Sequence, residues 1–85
     1  MYGVEFTSAA ARQVRKLEPD VWRRVQARIR ELGDVPRPAG ATKLVGEKTA
    51  WRIRIGDYRV IYDVLDDVLV VTVVAVGHRR EIYRG

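Results

Sequence analysis

The stretch that most restricts the fold of this chain is residues 51–62, with the sequence WRIRIGDYRVIY. Apolar and basic residues alternate before Gly56 and Asp57, and period-2 alternation is typical of a strand with one buried face. A Gly-Asp pair between two such runs predicts a two-residue hairpin turn, because glycine adopts positive φ at the first turn position without steric cost. The register that follows pairs Ile55 with Tyr58, Arg54 with Arg59, Ile53 with Val60 and Trp51 with Tyr62.

The two faces of this hairpin differ in chemistry. One face is apolar and aromatic, and the other carries Arg52, Arg54 and Arg59. Like charges directly opposite each other destabilise a sheet by up to about 1 kcal/mol, so stability alone does not explain Arg54 across from Arg59. Guanidinium groups match the geometry of phosphate oxygens, and this favours a surface that binds a polyanion. The alternative is a solvated basic face whose long side-chain stems cover apolar neighbours.

Composition limits the kinds of protein and partner. With 85 residues, the chain predicts a single domain over residues 1–85. Sixteen Lys and Arg against eleven Asp and Glu give a net charge of +5, which favours an anionic partner such as nucleic acid, an acidic protein or an anionic membrane surface. Cysteine is absent and there is one histidine. Disulfides and thiol chemistry are therefore excluded, and we expect no metal site built from several histidines.

No stretch of the sequence resembles a targeting signal or a membrane span. The N-terminus, MYGVEFTSAA, lacks a basic segment followed by an apolar run. The longest apolar run, residues 68–76, is far shorter than the roughly 20 residues that a membrane helix needs. We therefore predict a cytoplasmic protein. Because net charge alone supports a role at a membrane surface, we expect no membrane partner.

The first half of the chain predicts a strand and two helices. Residues 2–6 alternate as a strand, and Thr7 or Ser8 can cap the helix that follows. Pro19 favours the start of a second helix, and Gly33 is a plausible end of it. The short connection predicts an antiparallel helix hairpin. Its basic residues are interpreted mostly as solvated helix surface: Arg12, Arg15, Lys16, Arg23, Arg24, Arg28 and Arg30.

The second half predicts a sheet. A loop over residues 34–42 precedes Lys43, and the hairpin strand from Tyr58 continues to a turn at Asp66 and Asp67. Residues 68–76 then form the last long strand. If those two aspartates are the whole loop, Leu69, Val71, Val73 and Ala75 face the core and Val74 lies opposite Arg59. The predicted fold class is α+β: an N-terminal strand, the antiparallel two-helix hairpin, and a mostly antiparallel curved sheet of three or four strands.

The tail, GHRREIYRG, leaves this last strand at residue 77. Because the last strand neighbours the strand that starts at Tyr58, its end is expected near the Gly56-Asp57 turn. Basic residues distant in sequence can then gather beside Arg54 and Arg59. The tail residues with polar or charged chemistry are His78, Arg79, Arg80, Tyr83 and Arg84.

Together, the order of strand, helix pair and Lys43-Leu44, followed by WRIRIGDYRVIYDV and VVAVGHRREIYR, resembles the RelE branch of the RelE/ParE toxin superfamily of type II toxin–antitoxin systems. The resemblance covers nearly the whole chain. It implies a RelE-like fold and a ribosome-dependent endoribonuclease that cuts mRNA in the ribosomal A site. It also implies a cognate acidic antitoxin and a toxin–antitoxin hetero-oligomer.

The resemblance also implies roles for individual residues. Arg52 and Arg54 match positions that contact phosphate and support the reaction, where the best-known pattern has lysines. Arg59 matches the family's basic residue after the turn, and Arg79 matches its basic residue after the glycine of the last strand. Tyr83 matches a tyrosine that is assigned a role at the attacking hydroxyl. His78 is an additional acid/base candidate, because histidine is the residue type whose unperturbed pKa lies near neutrality. Further RNA contacts are predicted at Lys43, Lys48, Arg80 and Arg84.

The implied chemistry is attack of an RNA 2′-hydroxyl on its own phosphate, which needs neither metal nor cofactor. Arginines can stabilise the charge of the transition state, but they are poor general bases because guanidinium stays protonated. Two other functions remain open. A ParE-like toxin would inhibit DNA gyrase and cut no RNA. A noncatalytic basic module would bind RNA only, although no exposed aromatic residues on the arginine side favour base stacking.

Overall fold

The structure is a computed structural model that describes residues 1–82. In chain order, its elements are β1 (Gly3–Phe6), α1 (Ser8–Arg15), α2 (Pro19–Asp34), β2 (Thr42–Lys43), β3 (Ala50–Ile55), β4 (Tyr58–Leu65) and β5 (Val70–His78). The five strands form one sheet in the order β1-β5-β4-β3-β2. β1 runs parallel to β5, and the other neighbouring strands are antiparallel. The predicted α+β class is confirmed, with five strands in the sheet because the N-terminal strand joins it at one edge.

Local sequence explains where the helices start. The Thr7 hydroxyl accepts a hydrogen bond from the Ala10 backbone N–H at 3.1 Å, so Thr7 rather than Ser8 caps α1. Pro19 occupies the first turn of α2, where its missing N–H costs nothing.

Gly33 does not end α2 as predicted. The helix continues to Asp34, and Gly33 is buried within it. The Tyr2 backbone N–H donates to the Gly33 carbonyl at 2.7 Å, and a β-carbon at position 33 would lie 3.1 Å from the Tyr2 carbonyl oxygen. Glycine therefore serves the close approach of the N-terminal segment to α2.

The core lies between the helices and one face of the sheet. α2 contributes Val25, Ile29 and Leu32, and the sheet contributes mainly the aliphatic residues of β3, β4 and β5. Tyr62 is the largest fully buried side chain among residues 1–82, and its hydroxyl donates to the Pro36 carbonyl at 2.7 Å. Burial raises the pKa of Tyr62 to about 12, because the charged phenolate would lose its hydration.

The predicted hairpin is confirmed in full. Ile55 pairs with Tyr58, Arg54 with Arg59, Ile53 with Val60 and Trp51 with Tyr62. Gly56 has φ +60, in the left-handed region that glycine tolerates. Ile53, Ile55 and Val60 are buried on the helix side, so the alternating arginines lie on the other side of the sheet.

The next hairpin differs from its prediction. Leu65 pairs with Val70, so the turn has four residues, 66–69, and Leu69 is half-exposed in that turn rather than on the core face. The register then shifts between Ile61, opposite Ala75, and Tyr62, opposite Val73. Because of this β-bulge, Val76 rather than Ala75 lies in the core. The residue opposite Arg59 is Gly77 rather than Val74. β5 carries apolar residues on both of its faces, so its sequence does not reveal the shift in register.

No helix within residues 1–82 has both the length and the apolar character needed to cross a membrane.

Candidate functional site

The sheet surface that faces away from the helices carries the arginine face, which consists of Arg52, Arg54 and Arg59. Arg54 is exposed and pairs directly with Arg59, which is half-buried. β3 and β4 are joined by a two-residue turn, so the register keeps the backbones of these two arginines directly opposite each other. The fold therefore maintains a repulsive pair of cations that an anion would stabilise.

Arg59 is held against the turn that joins its strand to β3. Its Nη1 donates to the carbonyl oxygens of Gly56 at 3.2 Å and of Tyr58 at 3.1 Å. Both contacts use the same guanidinium nitrogen, so donors on its other nitrogens remain for a ligand. Arg59 is thus an oriented cation with remaining capacity for hydrogen bonds.

Arg79 reaches the same turn from the end of β5. Its backbone N–H donates to the Asp57 carbonyl at 2.8 Å, and its Nε lies 3.9 Å from Asp57 Oδ1. This agrees with the expectation that the tail lies near the Gly56-Asp57 turn. Arg59 belongs to β4 and Arg79 follows β5, and both are held at one turn: Arg59 by the carbonyls of Gly56 and Tyr58, and Arg79 by Asp57 between them.

A third guanidinium at this turn was not predicted. Arg24, on the exposed side of α2, has its Nη1 only 3.5 Å from where a β-carbon on Gly56 would lie. Helical periodicity gave no reason to separate Arg24 from the other solvated arginines of α2. Its position depends on how α2 packs against the hairpin, which no local pattern encodes.

His78 lies on the helix side of the sheet. It pairs with Tyr58, and the two rings meet edge to face with centroids 5.5 Å apart. The Arg80 backbone N–H donates to His78 Nδ1 at 3.2 Å, so Nε2 carries the hydrogen of the neutral imidazole. The structure therefore places the predicted acid/base candidate on the opposite side of the sheet from the arginine face.

A cleft of about 600 Å³ adjoins His78 on that helix side. It lies between α1 and the ends of β4 and β5, and its polar lining includes Gln13, Lys16 and Glu81. Gln13 also accepts a hydrogen bond from the Val76 backbone N–H at 2.7 Å, which fixes α1 against β5.

The remaining predicted RNA contacts are dispersed. Lys43 pairs with Trp51, so it shares the helix side with that ring, and its Nζ donates to the Glu47 carbonyl. Lys48 is exposed in the loop before β3, and Arg80 is exposed in the turn after β5. The predicted residues Tyr83 and Arg84 lie outside the described residues.

A second group of hydrogen-bonded polar side chains lies at the other end of the sheet. It consists of Tyr2, Arg37 and Asp66, and we call it the Asp66 cluster. Asp66 accepts from the Tyr2 hydroxyl and from Arg37 Nη2, both at 2.5 Å, and Arg37 lies 5.7 Å from the centroid of the Trp51 ring. The Tyr2 hydrogen bond and then Arg37 lower the pKa of Asp66. The same hydrogen bond to Asp66 raises the pKa of Tyr2.

Among residues 1–82, no group of three or more histidine, aspartate or glutamate side chains is placed to hold a metal ion.

A helix pair on one side of a small mixed sheet, and arginines gathered at a hairpin turn on the other, define a compact basic protein suited to an anionic target. Over residues 4–83 the sequence matches the family described as "ParE toxin of type II toxin-antitoxin system, parDE". The chain therefore belongs to this toxin family of the RelE/ParE superfamily, and its relatives confirm the predicted RelE branch.

Two of these relatives align over nearly their whole length. The mRNA interferase toxin RelE of Escherichia coli K12 is 33% identical over 86 residues, which cover 96% of this chain and 90% of the relative. Toxin RelG of Mycobacterium tuberculosis is 35% identical over 88 residues, which cover 98% of this chain and 97% of the relative. Among solved structures, a chain of the E. coli RelBE toxin–antitoxin complex superposes with a TM-score of 0.83 at 30% identity, covering 92% of this chain and 96% of that one.

Proposed function

We propose that this toxin is a ribosome-dependent endoribonuclease that cleaves mRNA in the ribosomal A site and so inhibits translation. The observation that carries the proposal is the convergence of Arg59 and Arg79 on the Gly56-Asp57 turn, beside Arg54. The similarity to the E. coli mRNA interferase toxin RelE supports it.

In the proposed reaction, the 2′-hydroxyl oxygen attacks the adjacent phosphorus and the bond from phosphorus to the 5′-oxygen breaks. The products are a 2′,3′-cyclic phosphate and a 5′-hydroxyl. The 2′-hydroxyl loses a proton and the departing 5′-oxygen gains one. This sequence needs no metal or cofactor, but it needs alignment of the attacking and leaving oxygens and stabilisation of the charge on the phosphorane-like transition state.

The arginines supply the electrostatic part. Arg54, Arg59 and Arg79 lie near one end of β3, β4 and β5, where planar guanidinium groups can donate to several phosphate oxygens together. Because arginine stays protonated, it does not accept the proton from the 2′-hydroxyl. Tyr83, His78 or groups of the ribosome remain the candidates for proton transfer, and the position of His78 on the helix side makes it the weaker of the two side chains.

We further propose that a cognate acidic antitoxin neutralises this protein in a hetero-oligomer. The basic net charge and the similarity to the toxin of the E. coli RelBE complex support this partner. Two surfaces suit such a partner: a groove of about 210 Å³ between β1 and α2, lined by Phe6, Trp22 and Arg30, and half-buried apolar residues such as Ile61 and Val70 beside the arginine face. A crystal structure of the complex with both surfaces open would contradict this binding mode.

Inhibition of DNA gyrase is the second candidate, because the matching family is described as ParE toxin. Primer extension on a defined mRNA in a purified translation system, with and without ribosomes, separates the two when run beside a gyrase supercoiling assay. Cleavage only with ribosomes, at A-site codons, is the expected result. Intact mRNA with inhibited gyrase would establish the ParE-like activity instead, and salt-dependent RNA binding without either effect would indicate a noncatalytic module.

A further inference from the structure

The Gly56-Asp57 turn contains a carboxylate that the hairpin does not need. Gly56 supplies the positive φ, and asparagine at the second position would suit such a turn as well as aspartate. A negative charge beside Arg54, Arg59 and Arg79 also repels the phosphates that these residues are proposed to bind. We therefore expect Asp57 to weaken RNA binding at this turn, and the turn geometry alone gives no reason for its presence.

Asp57 contacts Arg79 in two ways. Its carbonyl accepts the Arg79 backbone N–H at 2.8 Å, which fixes where the arginine begins. Its carboxylate lies 3.9 Å from Arg79 Nε, which favours one direction for the guanidinium. Because the carboxylate faces the Nε edge, the donors on the two Nη nitrogens remain for a phosphate.

We propose that Asp57 is a positioning residue for Arg79: its carboxylate orients the guanidinium for the transition state, and the negative charge of the same carboxylate lowers the affinity of the turn for RNA. The kinetic part of this inference rests on the proposed endoribonuclease activity. Both side chains of the pair are more than half exposed, at 55% and 68% of their accessible surface. An exposed pair of this kind contributes little to stability, so its removal should leave the fold intact.

The test compares Asp57→Asn with Asp67→Asn, which removes the same charge from the other turn of β4. We expect Asp57→Asn to bind an RNA oligonucleotide about two to three times more tightly, with a steeper salt dependence, because one repulsive charge is lost. We expect its single-turnover cleavage at saturating toxin to be about tenfold slower, since a misdirected group loses much of its catalytic effect. Asp67→Asn should change neither quantity. A merely structural role would not raise affinity while lowering the rate.

A double mutant tests whether Asp57 acts through Arg79. In the Arg79→Ala background, Asp57→Asn should slow cleavage no further. If it slows the Arg79→Ala protein by the same factor as the parent, the positioning role is overturned. Equal cleavage rates for Asp57→Asn and the parent would overturn it as well.

An NMR measurement decides the geometric part independently of catalysis. The order parameter of the Arg79 Nε–Hε group should fall in Asp57→Asn and stay unchanged in Asp67→Asn. An unchanged value in Asp57→Asn would refute positioning even if cleavage were slower. If the parent protein cleaves no mRNA but its Arg79 loses order on substitution of Asp57, positioning holds and the proposed endoribonuclease function fails.

Discussion

The two ends of β4 treat their charged residues in opposite ways. At the Asp66 cluster, one carboxylate receives hydrogen bonds from Tyr2 and Arg37, and Arg37 also lies over Trp51. At the Gly56-Asp57 turn, cations outnumber the carboxylate, and the nearest ion pair measures 3.9 Å. One end uses its charges to join the N-terminal segment, a loop and a turn of the same chain. The other retains unused hydrogen-bond donors, as expected of a surface that binds something else.

The largest expected difference between the two ends of β4 is the effect of arginine substitutions on cleavage activity. We expect Arg59→Ala or Arg79→Ala to slow cleavage of ribosome-bound mRNA by about 10²-fold or more, because each stabilises transition-state charge. Arg37→Ala is the matched control and should cleave at the parent rate. Single-turnover primer extension measures the effect. Weaker ribosome binding with a normal single-turnover rate would instead make Arg59 and Arg79 docking residues.

Glycine and leucine occupy the left-handed region in the two turns, with φ +60 at Gly56 and φ +55 at Leu69. Gly56→Ala should lower the free energy of unfolding by about 1–2 kcal/mol, because a β-carbon is disfavoured at this φ. The contact with Arg24 at 3.5 Å is ordinary, so the cost lies in the backbone. Leu69→Gly should relieve the same strain and stabilise by up to about 1 kcal/mol. Urea denaturation checks both, and a Gly56→Ala protein as stable as the parent would be inconsistent with the turn described.

The Asp66 cluster should make stability depend on pH. The pKa of Asp66 is lower in the folded chain, so its contribution is present above its unfolded pKa of about 4 and is lost as pH falls through the folded value. Asp66→Asn should therefore lower Tm modestly at pH 7, and the difference from the parent should vanish in acid. Asp67→Asn serves as the control. A Tm difference for Asp66→Asn that is independent of pH would rule out the charge as its cause.

The smallest effect is expected at Lys48, which is exposed and precedes β3, whereas the Gly56-Asp57 turn follows the other end of that strand. Lys48→Ala should weaken RNA binding by no more than about threefold and reduce the salt dependence by at most about one phosphate contact. Fluorescence anisotropy at several salt concentrations measures both. A loss as large as that of Arg59→Ala would extend the binding surface to this loop.

Much of the fold was predictable where chemistry alternates. The Gly56-Asp57 hairpin was predicted residue by residue, because arginines and apolar residues mark its two faces. β5 was not, since valines on both faces conceal the bulge that puts Gly77 opposite Arg59. The same limit applies to the site. The positions of Arg54 and Arg59 follow from the hairpin pattern. The approach of Arg24 depends on tertiary packing, and the side of the sheet on which His78 lies depends on that bulge.

The parallel pairing of β1 with β5 has a consequence for the order of folding. Glu5 pairs with Thr72 and Phe6 with Val73, so the first strand has no strand partner until the last strand has formed. Pairing across such sequence separation is slow, because the loop must close before any contact rewards it. Arg59 likewise meets Gly77, and Arg79 meets Asp57, only once β5 is in place. A nascent chain that lacks its last strand has no Arg79 at the Gly56-Asp57 turn, so the cationic site is complete only once β5 has joined the sheet.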